Sequence, residues 1–119
     1  MTFVNRLHQS AVLRREDGTL MTIALSGTVA LAVASDAPHE APHDGVSVVI
    51  ERGPVRVDGW PSEEGHYLVS SQAALAARAL GLTTPAHIYS PEALQPRTDG
   101  QPGMFAAGVR RWPDWPSQR

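Results

Sequence analysis

Apolar and polar residues alternate over short stretches along most of the chain, a pattern that predicts β-strands. The first two such stretches, residues 11–16 and 19–25, are separated by Asp17-Gly18. Asp-Gly between two strand-like runs predicts a hairpin, because a tight primed turn needs positive φ at both central positions. We therefore expect an antiparallel pair of strands near the N-terminus.

Further strand-like runs follow as far as the C-terminal region. Strands are predicted at residues 29–33, 46–51, 55–58, 66–70, 87–89 and 104–109. The apolar run 21–34 is interpreted as two buried strands that meet at Ser26-Gly27. Residues 35–45 are polar, contain two prolines and have no periodicity, so this segment is predicted to be a loop.

One helix is predicted, at residues 72–80. Ser70 or Ser71 provides an N-cap, the segment is rich in Ala and Leu, and Gly81 provides a stop. Strands, then one helix, then strands again are typical of an α+β fold. We expect a single domain, residues 1–109, in which one Ala-rich helix packs on a mainly antiparallel sheet. Residues 110–119 form a C-terminal tail that contains Trp and Pro.

Composition excludes several classes of function. The 119 residues include no Cys and no Lys, which excludes thiolate chemistry, Schiff bases and the phosphate-binding loop that needs Lys. The formal net charge of −2 does not favour nucleic-acid binding. The apolar run 21–34 is shorter than the ~20 residues of a membrane span and is preceded by acidic residues, so neither a span nor a signal peptide is predicted. We expect a soluble, cytoplasmic protein.

Two histidines in the predicted loop raise the question of a metal site. His39 and His43 have Asp36, Glu40 and Asp44 as neighbours. Histidines four residues apart share a face only on a helix, and the nearby prolines disfavour one. A solvated acidic loop is the interpretation we adopt, with a divalent-metal site as the alternative, and no metal or other cofactor is predicted.

The candidate ligand-binding residues are polar or aromatic side chains that suit phosphate, ribose and base. Ser70 and Ser71 begin the predicted helix, where free backbone N–H groups bind anions. Trp60 provides a stacking surface, with packing at the sheet edge as the alternative, and Trp112 and Trp115 are expected to pack on the domain or on a second copy. Arginine can bind a phosphate through its planar fork. The first candidates are Arg52 and Arg78, and the second candidates are Arg56 and Arg110.

Several short motifs resemble a group of small, largely uncharacterised proteins of phages and prophages of high-GC bacteria. The matching residues are Val4-Asn5, Ser26-Gly27, Gly59-Trp60-Pro61 and Tyr67-Leu68-Val69-Ser70. In the family these positions correspond to a Val-Asn-Leu-Thr-Pro-His opening, a Ser-Gly strand pair, a Gly-Leu-Pro turn and a Tyr-Ile-Val-Ser entry into a helix. Here Gln9 occupies the position of the family histidine, and His8 precedes it.

The resemblance implies a phage-encoded accessory protein that acts against host defence. We expect it to bind and sequester a small nucleotide-derived immune signal without cleaving it, as a homo-oligomer in the host cytoplasm. Two alternatives remain open: an inhibitor that binds a host protein through a Trp-bearing surface, and a small hydrolase acting on a nucleotide. The residues predicted to bind the ligand are Asn5, His8, Arg52, Trp60, Ser70, Ser71 and Arg78. We expect no nucleic-acid or membrane partner and no catalytic residues.

Overall fold

A computed structural model of the chain describes residues 2–34, 39–49 and 53–116. Over these residues the chain forms ten strands and one helix. In chain order they are β1 (Phe3–Asn5), β2 (Ala11–Arg14), β3 (Leu20–Ile23), β4 (Leu31–Ala34), β5 (His39–His43), β6 (Val46–Val49), β7 (Pro54–Asp58), β8 (His66–Leu68), α1 (Ser71–Ala79), β9 (His87–Pro96) and β10 (Met104–Arg111). The prediction of a mostly β-sheet single domain with one helix is confirmed.

The main sheet has six strands in the order β1-β8-β9-β10-β2-β3. Three of its neighbouring pairs are parallel: β1 with β8, β8 with β9, and β10 with β2. The β9–β10 and β2–β3 pairs are antiparallel, as are two separate two-stranded sheets, β4–β7 and β5–β6. The strand pairing is therefore largely antiparallel, as predicted, but the main sheet is mixed, because strands far apart in sequence also pair in parallel.

This sheet curls until its two edge strands meet. Leu25, which follows β3, forms a parallel bridge with Asn5 of β1, and the Ser26 backbone N–H donates to the Asn5 carbonyl at 3.2 Å. Apolar side chains from all six strands pack inside the curl, with Leu68 and Leu13 buried. The two strands on either side of Ser26-Gly27 were predicted to be buried, but the residues of β3 and β4 are half-buried or exposed. β3 lies at the edge of the main sheet, and β4 pairs with β7 in a separate two-stranded sheet.

Helix α1 covers the outer face of the curled sheet. Ser70 caps the helix and Leu80 ends it, in agreement with the predicted signals. Ala73, Ala74 and Ala77 are fully buried in the cluster that includes Tyr67, Val69 and Ile88 of the sheet, and small side chains let the helix approach closely. Among the described residues, no helix is long and apolar enough to span a membrane.

The β2–β3 hairpin forms as predicted, but its turn is of a different type. Gly18 donates to the Arg15 carbonyl at 3.0 Å, the Arg15 N–H donates to Thr19 at 2.8 Å, and positive φ in this turn occurs at Gly18. This is a three-residue loop with a glycine bulge. Hydrogen bonds from Thr19 hold the pKa of the Asp17 carboxyl below its usual value.

The segment predicted as the loop 35–45 contains a strand. β5 and β6 form a hairpin whose turn, Asp44-Gly45, has positive φ at both residues, at 48° and 77°. The register shifts between Glu40 and His43, where Pro42 removes a backbone donor, so the hairpin accommodates the proline as an irregularity. Asp36 and the side chains of His39 and Glu40 lie outside the described part, and the metal alternative remains a prediction.

The C-terminal segment packs against the domain instead of extending from it. β10 continues to Arg111, two residues beyond the predicted boundary at residue 109. Trp112 and Trp115 are then buried, with 6% and 8% of their surface exposed. Trp112 Nε1 donates to Ser90 Oγ at 2.9 Å, and the Thr84 N–H donates to the Pro116 carbonyl. The expected packing of these tryptophans on the domain is confirmed.

Candidate functional site

A groove of about 440 Å³ lies at the end of β8, where the chain enters α1. The β1–β2 connection contributes Leu7 and His8 to one side. Ser70 and Ser71 form the floor at the start of the helix, and the β9–β10 hairpin contributes Leu94 and Met104 to the other side. These segments meet because β1 and β8 are parallel neighbours and end at the same level.

The helix start gives the groove its hydrogen-bond donors. Ser70 Oγ accepts from the Ala73 N–H at 3.1 Å, and the Ser70 carbonyl accepts from the Ala74 N–H. In the described structure no acceptor pairs with the N–H groups of Ser71 and Gln72, which lie in the first turn. The first turn contains no acidic residue, so the positive end of the helix dipole faces the groove uncompensated.

The opposite side of the groove is apolar and accessible. Leu94 is 61% exposed and Met104 is 48% exposed, and the two belong to the paired strands β9 and β10. His8 is also exposed, and the residues that line the groove in the described structure include neither a carboxylate nor an arginine. A ligand would therefore meet backbone donors on one side and apolar surface on the other.

An unusual backbone conformation occurs next to this apolar side. Ala93 has φ of +53°, although it is not a glycine and lies within β9. The left-handed region costs an L-residue with a Cβ about 1–2 kcal/mol. Ala93 directly precedes Leu94, which lines the groove.

The groove brings together three of the predicted ligand-binding residues, His8, Ser70 and Ser71. Asn5 is elsewhere: it is 1% exposed, and its side chain is used within the fold. Its Nδ2 donates to the carbonyls of Gln9 and Ile23, both at 3.0 Å, and its Oδ1 accepts from the Leu7 N–H at 2.8 Å. These bonds give Asn5 a role in closing the curled sheet.

Trp60 and Arg78 contact the C-terminal segment and not the groove. The Trp60 ring centroid is 5.3 Å from that of Trp115, and Trp60 Nε1 donates to the Thr83 carbonyl at 3.3 Å. The Arg78 guanidinium lies 4.0 Å from the centroid of Trp115 and donates to the Pro113 carbonyl. The host-protein alternative requires exposed tryptophan rings. Trp112 and Trp115 do not provide them, because both rings are buried.

The other candidate arginines that the structure describes do not line the groove. Arg52 lies outside the described residues. Arg56 forms an exposed ion pair with Asp58 at 2.9 Å, and the Arg110 guanidinium lies 4.3 Å from the Trp112 ring centroid. The sequence contained no signal for the apolar side of the groove, because Leu94 lies between two prolines in a segment without regular alternation.

No family model matches the chain, and no curated protein or solved structure matches it either. Function therefore has to be inferred from the geometry of the groove and of the surfaces around it.

Proposed function

We propose that the groove binds a small nucleotide-like ligand and that the protein holds this ligand without cleaving it. The observation that carries the proposal is the combination, in one groove, of the unpaired N–H groups at the start of α1 with an exposed apolar side. Nucleotides have the same division, with an anionic phosphate at one end and a flat apolar base at the other.

The phosphate would lie at the start of the helix. The N–H groups of Ser71 and Gln72 and the helix dipole favour negative charge there, and the hydroxyl of Ser71 adds a donor. His8 lines the same groove and provides a further donor from its imidazole. Because the described lining contains no carboxylate, a bound phosphate meets no like charge.

The base would lie against Leu94 and Met104. Both side chains are about half exposed, and burying them under a flat ring removes apolar surface from water on both partners. A thioether is also a favourable contact for an aromatic ring. The groove volume of about 440 Å³ lies within the range of small-molecule sites.

Binding without cleavage is supported by the titratable groups of the groove. His8 is the one such side chain in its described lining, so a histidine paired with a carboxylate is lacking there. General acid–base cleavage of a nucleotide uses two such groups. Sequestration of an immune signal in the host cytoplasm is what the resemblance to phage and prophage proteins adds to this proposal.

The homo-oligomer expected from the sequence also remains a proposal. Among the described residues, Leu31 of β4, Val55 of β7 and Leu75 of α1 are large apolar side chains that are 58%, 52% and 58% exposed. A second copy that covers them would remove this surface from water. Light scattering coupled to size-exclusion chromatography tests this, since a mass of 12.8 kDa would contradict it.

The binding proposal is tested with Ser71→Asp. A carboxylate in the first turn stabilises the helix through the dipole but repels a phosphate at the same position. We expect the variant to keep or raise its melting temperature and to lose ligand binding at least tenfold, measured by calorimetry with cyclic dinucleotides, ADP-ribose derivatives and nucleoside phosphates. Ser62→Asp adds the same charge at an exposed position outside the groove and is expected to bind like the unchanged protein.

Two results decide between the alternatives. If no compound of the panel binds the unchanged protein, or if Ser71→Asp and Ser62→Asp bind equally well, the groove is not the phosphate site. If a ligand binds but is recovered in altered form after heat denaturation, the hydrolase alternative replaces sequestration. Recovery of the intact ligand supports the proposal.

A further inference from the structure

A second cavity opens at the other end of the curled sheet from the groove. It has a volume of about 610 Å³ and is lined by residues of β1, β2, β3 and β10 and of the β2–β3 turn. Phe3, the first residue of β1, lines this cavity, whereas residues that follow β1 line the groove, so the two openings lie at opposite ends of that strand. Leu13 is 5% exposed and lines both openings, so it lies between them.

The walls of this cavity include interior side chains that the fold leaves partly uncovered. Phe3, Met21 and Val109 belong to the apolar cluster inside the curl, yet each of them is only half-buried. The Phe3 ring packs edge-on against the Tyr89 ring, with centroids 5.1 Å apart and planes inclined by 83°. The charged residues of the described lining are exposed and lie at the end of β2 or just after it: Arg14, Arg15 and Glu16.

Gly108 provides empty space in this lining. It lies within β10 and pairs with Glu92 of β9. A Cβ added to Gly108 would meet no atom of the described structure within 4 Å beyond its chain neighbours, and its φ is not in the left-handed region. Neither backbone conformation nor a close neighbour therefore requires glycine at this position, although glycine weakens a strand. A glycine inside a strand often marks a place where a ligand approaches the backbone closely.

We propose that this cavity binds a small aromatic molecule, with one face of its ring against the backbone of Ala107 and Gly108. These two residues carry at most a methyl group, so they form a flat wall. The Met21 thioether and the Phe3 ring are favourable neighbours for an aromatic ligand. The volume lies within the range of small-molecule sites, which occur in the mouths of β-barrels. Leu13 closes the inner end, which favours a small molecule over a peptide chain.

Titration with 2-naphthol tests the site, with the methionine methyl groups followed by NMR. Met21 lines this cavity and Met104 lines the groove, so each methyl group reports on one site. We expect the Met21 resonance to shift saturably with a Kd of about 0.1–1 mM, because the ring current of the probe acts on it. A ring that enters the groove shifts the Met104 resonance with its own binding curve, so the proposal does not depend on the proposed function.

Substitutions of Gly108 fill the space that the ring would occupy. Gly108→Val adds a side chain that strands favour, so we expect the melting temperature to be kept and the affinity reported by Met21 to fall at least tenfold. Gly108→Ala fills less of the space and should lower that affinity about threefold. Gly53→Val is the matched control, because Gly53 is exposed, lies outside the cavity and also has open space at its Cβ. It should bind 2-naphthol like the unchanged protein.

Three results would overturn the proposal. The first is a Met21 resonance that does not shift saturably. The second is equal affinity of Gly108→Val and Gly53→Val at the Met21 site, and if Gly108→Val does not fold, unchanged affinity of Gly108→Ala has the same meaning. The third is equal binding of decahydro-2-naphthol, a saturated analogue that is not flat. Ser71→Asp should leave the Met21 response unchanged, because Ser71 lies in the groove, so failure of one site can be told from failure of the other.

Discussion

Asn5 allows the closure of the curled sheet to be tested by a single substitution. Its side chain forms three hydrogen bonds, to the backbones of Leu7, Gln9 and Ile23, and is 1% exposed. Asn5→Ala removes all three and leaves two carbonyls and one N–H without these partners. Each bond contributes about 1 kcal/mol, and the backbone groups left unpaired add a further cost, so we expect the free energy of unfolding to fall by about 3–4 kcal/mol.

This loss is a large fraction of the total stability of about 5–15 kcal/mol of a small domain. Urea unfolding followed by tryptophan fluorescence measures it, since Trp112 and Trp115 are buried in the folded protein. Gln9→Ala is the matched control. It removes an exposed side chain but keeps the carbonyl that accepts from Asn5, so a change within about 0.5 kcal/mol is expected.

The same experiment separates the two roles considered for Asn5. If Asn5→Ala lowers the free energy of unfolding by less than about 1 kcal/mol, or no more than Gln9→Ala does, the hydrogen bonds do not hold the sheet closed. A variant that stays fully stable but loses ligand binding would instead support the ligand-reading role predicted from the sequence.

Two further substitutions test other features of the fold. Ala93→Gly relieves the left-handed strain in β9 and should raise the free energy of unfolding by about 1 kcal/mol. Ala107→Gly on the paired strand should lower this free energy by a similar amount. If both variants are less stable than the unchanged protein, Ala93 is not strained. Arg78→Ala removes the contact with the Trp115 ring and the bond to Pro113, and should cost about 1–2 kcal/mol and shift tryptophan emission to the red. The exposed Arg56→Ala is its control, with an expected change within about 0.5 kcal/mol.

The helix could be predicted from the sequence because its signals are local. The Ser70 cap bonds to Ala73, three residues away, and Gly81 adopts the positive φ of 68° that a helix end favours. The β2–β3 pair was predicted for the same reason, since its strands adjoin one turn. The predicted turn type was wrong, because Asp-Gly occurs in three-residue loops with a glycine bulge as well as in primed turns.

The sequence contains no comparable signal for pairing between strands that are far apart along the chain. The parallel contact of β2 with β10 joins Leu13 to Ala106, and alternation within either strand does not specify its partner. The local helix signals also identified Ser70 and Ser71, which line the candidate groove. Trp60 and Arg78 pack against Trp115, which is distant in sequence. Because this contact could not be seen in the sequence, their residue types suggested that they bind a ligand.

The position of β10 in the sheet also constrains how the chain can fold during synthesis. β10 is formed by residues 104–111 and lies between β9 and β2, so before it is made the N-terminal hairpin can contact the rest of the sheet where Leu25 meets Asn5 but cannot pair on its β2 side. Contacts so distant in sequence slow folding, because the chain loses the entropy of loop closure before the strand pairing stabilises it. Closure of the curled sheet is therefore expected only after residue 111 has left the ribosome, and a truncation before residue 104 would open the sheet between β9 and β2.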